Sequence, residues 1–228
     1  MVPPKDAQNS EPSTGCHFST NARSTEAERR VVKITRLART CSYARCMAHT
    51  LWTIGHSTRD WETFVALLHA AQIEALADVR RFAGSRRHPQ FSGEAMAREL
   101  PIAGIAYAPM PALGGRRPAQ PDSPNTAWRN ASFRGYADYM ATDDYLAARA
   151  RLETLAIDQR VAVMCAEALW WQCHRGLIAD DFKSRGWDVV HLLAADRQEA
   201  HPYTAAARIV DGRLDYRAAP DPQPRLFE

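Results

Sequence analysis

The sequence predicts an α/β domain: a mainly parallel sheet of roughly five strands with helices on both faces, closed by a C-terminal β-hairpin. Three observations lead there. Short apolar runs alternate with helix-length amphipathic stretches between residues 51 and 193. The runs, such as Val161-Ala162-Val163-Met164-Cys165, are apolar throughout instead of alternating, as in strands covered on both faces. Polar residues capable of chemistry follow several runs directly, as at strand ends that face a crevice.

Taken in order, residues 51–54 read as the first strand. Residues 61–71 read as a helix with Phe64, Leu67 and Leu68 on one face, and 74–79 as a second strand. A helix over 93–100 and a strand over 105–109 continue the βαβ pattern. Residues 111–130 form a long loop rich in Gly, Pro and Arg, of a length that is often functional in compact domains. A helical region over 136–156, the strand 161–165, a helix from about 173 to 185 and a strand over 189–193 follow. Asp211-Gly212, between two β-prone arms, signals a hairpin expected to close the sheet edge. Residues 1–46 lack sustained periodicity and read as a disordered leader. Met47 precedes the first strand, which is consistent with an upstream translation-start extension. The domain is then 47–217, and 218–228, with three prolines, is a flexible tail.

At 228 residues, 46% apolar and 24% charged, the chain can bury a substantial core. Its formal charge is +3, but residues 1–46 hold 8 Lys+Arg against 4 Asp+Glu, so the remainder sums to −1. The basic balance therefore belongs to the leader, and a chain-wide charge for coating nucleic acid is excluded. No run of about 18 apolar residues is present, and no apolar stretch precedes a small-residue cleavage site. The expectation is a cytoplasmic protein without a membrane role. Five cysteines, three in the leader and two in the domain, do not form a disulfide framework.

The candidate chemistry gathers at expected strand ends. These carry His56 and Ser57, Asp78 and Arg80, Cys165 and Glu167, and then Cys173, His174 and Arg175 at the start of a helix. A strand–turn–helix unit aims backbone N–H groups at its turn, which suits an anion or a thiolate. Neither apolar packing nor capping calls for two cysteines with Glu167, His174 and Arg175 in so short a window. A functional pocket is the better reading, with Cys165 as the most reactive group. Asp78 and Glu167 read as a general acid/base pair, as holders of Mg²⁺, or as salt-bridge partners of Arg80 and Arg175. Zinc on Cys165, Cys173, His174 and His56 is a further alternative, but seven residues separate the two cysteines, a poor spacing for it. Neither metal is favoured. A phosphatase-type thiolate loop would need Arg where Trp171 stands. From Arg80 to Arg134 there are nine Arg against three Asp+Glu, interleaved with Phe82, Phe91, Trp128 and Phe133. That is the mixture of a surface that tracks phosphates and stacks bases, or of a solvated arginine-rich loop. Within it Arg80, Ser85 and Arg86, together with Arg175, are the expected phosphate binders. Trp170-Trp171 read either as stacking groups or as core.

At these residues the chain resembles the DUF488 family of uncharacterised bacterial and archaeal proteins. The resemblance rests on TIGHSTR from Thr53, DVR at Asp78 with SR at Ser85, and LGG at Leu113. GYADYM from Gly135, MCAE from Met164, CHR from Cys173 and VDGRL from Val210 complete it. It covers about residues 50–217 and implies no established activity. Where the family usually has a proline between MCAE and CHR, this chain has Ala168-Leu169-Trp170-Trp171-Gln172. The same unit is distantly similar to the rhodanese-type sulfurtransferase loop.

Near the C-terminus, Gln223, Leu226 and Phe227 resemble the Q-x-x-L-F peptide by which bacterial polymerases and repair proteins dock on the sliding clamp. Two apolar anchors would fill a pocket while the glutamine sets register. The leading expectation is a DNA-maintenance enzyme acting on a nucleotide or nucleic-acid substrate and recruited by the clamp. A Cys-dependent sulfur- or acyl-transfer enzyme and a non-catalytic nucleic-acid adaptor are the alternatives.

Overall fold

The computed structural model describes residues 49–84 and 87–219. The leader, Ser85, Arg86 and the clamp-like peptide at Gln223, Leu226 and Phe227 lie outside the described residues. The elements are β1 (Thr50–Gly55), α1 (Trp61–Ala70), β2 (Ala75–Asp78), α2 (Gly93–Ile102), β3 (Ala106–Pro109) and α3 (Ala131–Tyr139). They continue with α4 (Asp143–Asp158), β4 (Val161–Cys165), α5 (Arg175–Ser184), β5 (Asp188–Ala194) and β6 (Arg197–Ala200). A final pair is β7 (Arg208–Val210) and β8 (Arg213–Asp215). Six strands form one sheet in the order β3-β2-β4-β1-β5-β6, parallel except for β6, which runs antiparallel to β5.

Two expectations are corrected. The 207–216 hairpin does not close the sheet: among the described residues β7 and β8 pair only with each other, and β6 is the edge. The turn after β5 folds Arg197–Ala200 straight back onto it, so the edge is occupied before the chain reaches Asp211-Gly212. The helical region over 136–156 is two helices, because Thr142 caps α4 by accepting the Tyr145 N–H.

Side chains alternate across the sheet and build two cores. Trp52, Ile54, Leu76, Ala162 and Met164 pack on one face with Phe64, Leu67 and Leu68 of α1 and Met96 and Leu100 of α2. Leu51, Ala77, Val161 and Val163 pack on the other face with α3, α4 and α5 through Tyr136, Tyr145, Leu152 and Leu177. This double cover explains why the strands are continuously apolar. It also sets the site. β1 and β2 are followed by helices on the first face, whereas β4, between them, is followed by α5 on the second. The chain thus diverges at the carboxyl end of β4, and a crevice opens there. Among the described residues no helix is long and apolar enough to cross a membrane.

Candidate functional site at the carboxyl end of the fourth strand

Three strand ends are tied together before any side chain is considered. The His56 N–H donates to Cys165 O at 3.0 Å, Ser57 N–H to Ala166 O at 2.9 Å and Val79 N–H to Met164 O at 3.0 Å. The ladder therefore runs one step past β1 and β2 and brings the expected residues of all three segments together. The approach is close enough to require glycine at one position: a Cβ on Gly55 would lie 1.8 Å from Glu167 O. Gly55→Ala is expected to cost about 3 kcal/mol, since backbone and not a flexible side chain must give way. An unchanged urea midpoint for that variant would contradict the close approach.

Cys165 and Cys173 are free and buried, at the end of β4 and just before α5. Each sulfur accepts a backbone N–H from two residues on, Glu167 N to Cys165 Sγ at 3.4 Å and Arg175 N to Cys173 Sγ at 3.5 Å. The two thiols are unequal. Burial and the neighbouring Cys173 push the Cys165 thiol well above its usual range. Burial opposes ionisation of Cys173 too, but a hydrogen bond from Cys165 and the charge and N–H of Arg175 outweigh it and bring Cys173 down to about 7. The environment thus eases ionisation of Cys173 and opposes that of Cys165. His174 Nε2 lies 3.1 Å from Val79 O and Nδ1 3.5 Å from Cys173 Sγ. A carbonyl only accepts, so Nε2 carries the proton and Nδ1 presents a lone pair to the sulfur. Cys165, Cys173 and His174 are also the described residues that could hold a metal ion, with donor atoms all within 4.8 Å of one another.

Arg175 is 2% exposed and pairs with no carboxylate among the described residues. It donates to Glu167 O at 2.6 Å, Ala168 O at 3.3 Å and Thr53 Oγ1 at 3.3 Å, and its Nε has no partner among the described residues. Asp78 is taken up by Arg80, which donates from Nε at 2.8 Å and Nη2 at 2.5 Å, and by Tyr107 Oη at 2.8 Å. Of its three readings, this is the salt bridge to Arg80. Arg80 also donates to Phe91 O at 2.7 Å and to His56 Nε2 at 3.3 Å. Arg80 and Arg175, expected to bind phosphate, are thus buried and largely committed to protein acceptors.

A pocket of about 270 Å³ opens over the thiols. Its floor carries Cys165, Glu167, Cys173 and His174, and Arg81, Phe82, Arg116, Phe133 and Tyr136 stand among its walls. His56, Ser57, Asp78 and Arg175 are not lining residues. The Glu167 carboxylate makes no hydrogen bond or ion pair with a described residue, although both of its backbone polar groups are engaged. Arg81 and Tyr136 were not singled out from the sequence. Arg81 sits inside the arginine-rich stretch, and Tyr136, which donates to Leu113 O at 2.7 Å, inside the GYADYM motif. Trp170 is core, stacked on His191 at 4.5 Å, whereas Trp171 is 45% exposed; neither lines the pocket.

The family model for DUF488, a domain of unknown function, matches residues 60–181, more than half of the chain. The chain belongs to the DUF488 family. The DUF488 match takes in Asp78, Arg80, Cys165, Glu167, Cys173, His174 and Arg175, and begins after His56 and Ser57. No curated protein and no solved structure gives a match to the chain.

Proposed function

We propose that this pocket is the active site of an enzyme acting on a nucleotide or nucleic-acid substrate in DNA maintenance. One observation carries the reading: the reactive groups Cys165, Cys173, His174 and Glu167 share a pocket with Arg81 and Arg116, two guanidiniums without carboxylate partners among the described residues. Beside them, Phe82, 64% exposed, and Phe133 offer faces on which a base stacks. Arg81 and Arg116 hold phosphate oxygens, and Glu167 moves a proton. The setting is the cytoplasm, where both thiols stay reduced. The peptide at Gln223, Leu226 and Phe227 tethers the enzyme to the sliding clamp.

The test compares full-length protein with a variant lacking residues 223–228 for binding to a bacterial sliding clamp. Single- and double-stranded DNA are titrated in parallel across salt. Clamp binding is expected to vanish on truncation. DNA affinity is expected to fall with salt, with Arg81→Ala and Arg116→Ala each reducing the log–log slope by about one. Binding to neither partner overturns the proposal. DNA affinity unchanged by Cys165→Ala and Glu167→Gln, with no turnover of any nucleotide or DNA, overturns the catalytic part and leaves an adaptor. Contact of Cys173 Sγ with His174 Nδ1 at the start of α5 favours a second reading, sulfur or acyl transfer on a small molecule. A covalent adduct on Cys173, with no DNA binding at any salt, would support it.

A further inference from the structure

We propose that Cys165 Sγ, Cys173 Sγ and His174 Nδ1 form a three-ligand site for a thiophilic divalent cation of the zinc class, with its fourth position open to the pocket. The inference concerns the pocket assigned above but does not depend on a nucleic-acid substrate. Sequence spacing argues against such a site. The fold removes the objection, because the turn 166–172 returns the chain to the end of β4 and places all three donor atoms within 4.8 Å of one another. In a tetrahedral zinc site with Zn–S of about 2.3 Å and Zn–N of about 2.0–2.1 Å, a sulfur and a nitrogen ligand stand about 3.6 Å apart. Cys173 Sγ and His174 Nδ1 are 3.5 Å apart.

The surroundings match what metal ligands require. His174 gives its Nε2 proton to Val79 O, which fixes the tautomer and aims Nδ1 inward, the usual outer-shell support of a ligating histidine. Each sulfur already receives a backbone N–H from two residues on, which stabilises the deprotonated form that binds metal. Gly115 keeps the nitrogen accessible, since a Cβ there would stand 2.9 Å from Nδ1. Charge points to the fourth ligand. Two thiolates cancel a divalent ion, and the buried Arg175, which has no carboxylate partner among the described residues, leaves one positive charge beside the site. An anion in the open position, hydroxide or a substrate phosphate oxygen, completes the balance. Three protein ligands with one exchangeable position is the arrangement of a catalytic site rather than a structural one. Binding of the ion releases the two thiol protons to solvent and changes no oxidation state.

Co²⁺ is the probe, titrated into chelator-stripped, reduced full-length protein. Cys16, Cys41 and Cys46 are changed to Ser so that the leader contributes no thiol. The expected result is one equivalent bound, with intense thiolate-to-cobalt charge transfer and the ligand-field bands of tetrahedral Co²⁺, displaced by stoichiometric Zn²⁺. Cys165→Ser, Cys173→Ser and His174→Gln should each weaken binding by a factor of ten or more. Gly115→Ala, which retains every ligand, should weaken it less, and a circular-dichroism spectrum identifies any variant that has not folded. Absence of the charge-transfer band, or a band retained in the folded Cys165→Ser/Cys173→Ser double variant, overturns the site. So does recovery of the two thiols as a Cys165–Cys173 disulfide that persists through reduction. DNA and clamp binding are read in separate titrations, so failure of the metal site and failure of the functional reading are told apart.

Discussion

Lowering the pH from 7 to 5 is expected to remove about 4 kcal/mol of folding stability through two buried histidines alone. His56 is brought down from 6.5 to about 4, first by burial and then by the Arg80 charge, against the opposing pull of its Ser57 hydrogen bond and Asp78. Its hydrogen bonds give the same answer: Nδ1 donates to Ser57 O at 3.0 Å while Nε2 accepts from Arg80. A second proton on Nε2 would face a guanidinium. His191 is held lower, at about 2, by burial, His201 and Arg175. Both rings are neutral in the fold and become protonated in the unfolded chain below 6.5. Their contribution is therefore fully present above 6.5 and is lost as pH falls from there toward the folded values, about 1.4 kcal/mol per histidine per pH unit. Asp181, whose carboxyl burial pushes up, works in the opposite sense and trims the loss. Urea unfolding at pH 7, 6 and 5 reads this directly. A midpoint that stays flat, or an imidazole resonance of either ring titrating near 6.5, would show that these rings accept protons in the folded state.

The histidines also mark what the sequence conceals. The order of strands and helices was legible because each element is short, apolar on its buried side and ended by a turn residue. The convergence of His56, Asp78, Cys165 and Cys173 was legible from one topological rule about strand ends. What was not legible depends on which partner a polar residue finds. Asp78 and Glu167 looked alike, yet one is buried under Arg80 and Tyr107 while the other lines the pocket, its carboxylate without a partner among the described residues. Arg80 and Arg81 are adjacent and both line the pocket with Arg116, yet the Arg80 guanidinium is held by Asp78 and Phe91 O, whereas Arg81 has no carboxylate partner among the described residues. The hairpin at Asp211-Gly212 was legible as a hairpin, whereas its docking was not, since local turn chemistry carries no information about a distant sheet edge.

Replacing Asp180 with Ala is expected to cost about 4 kcal/mol, although the residue lies on α5 far along the helix from the thiols. Asp180 is fully buried and accepts four hydrogen bonds: His201 Nε2 at 2.9 Å, Thr204 N–H at 2.8 Å, Thr204 Oγ1 at 2.6 Å and Tyr216 Oη at 2.8 Å. The chain of bonds continues through His201 Nδ1 and His191 Nε2 at 3.0 Å, His191 Nδ1 and Thr53 Oγ1 at 2.7 Å, and Thr53 Oγ1 and Arg175 Nη1 at 3.3 Å. Its polarity follows from the ends. The guanidinium only donates, so Thr53 accepts from it and gives its own proton to His191 Nδ1. His191 Nε2–H then donates to His201 Nδ1, and His201 Nε2–H to the carboxylate. Every dipole points from the Arg175 cation to the Asp180 anion, so one buried charge supports the other across two imidazoles, and the network holds the guanidinium beside Cys173. Three variants rank the terms. Tyr216→Phe should lose about 1 kcal/mol, one hydrogen bond. Asp180→Asn should lose about 2 kcal/mol, since Oδ1 still serves His201 and Thr204 while the charge is gone. Asp180→Ala should lose the most, because four donors are left buried without an acceptor. Equal losses for Asn and Ala would show that the carboxylate charge alone matters. A loss below about 1 kcal/mol for Ala would mean that the network is not a buried unit.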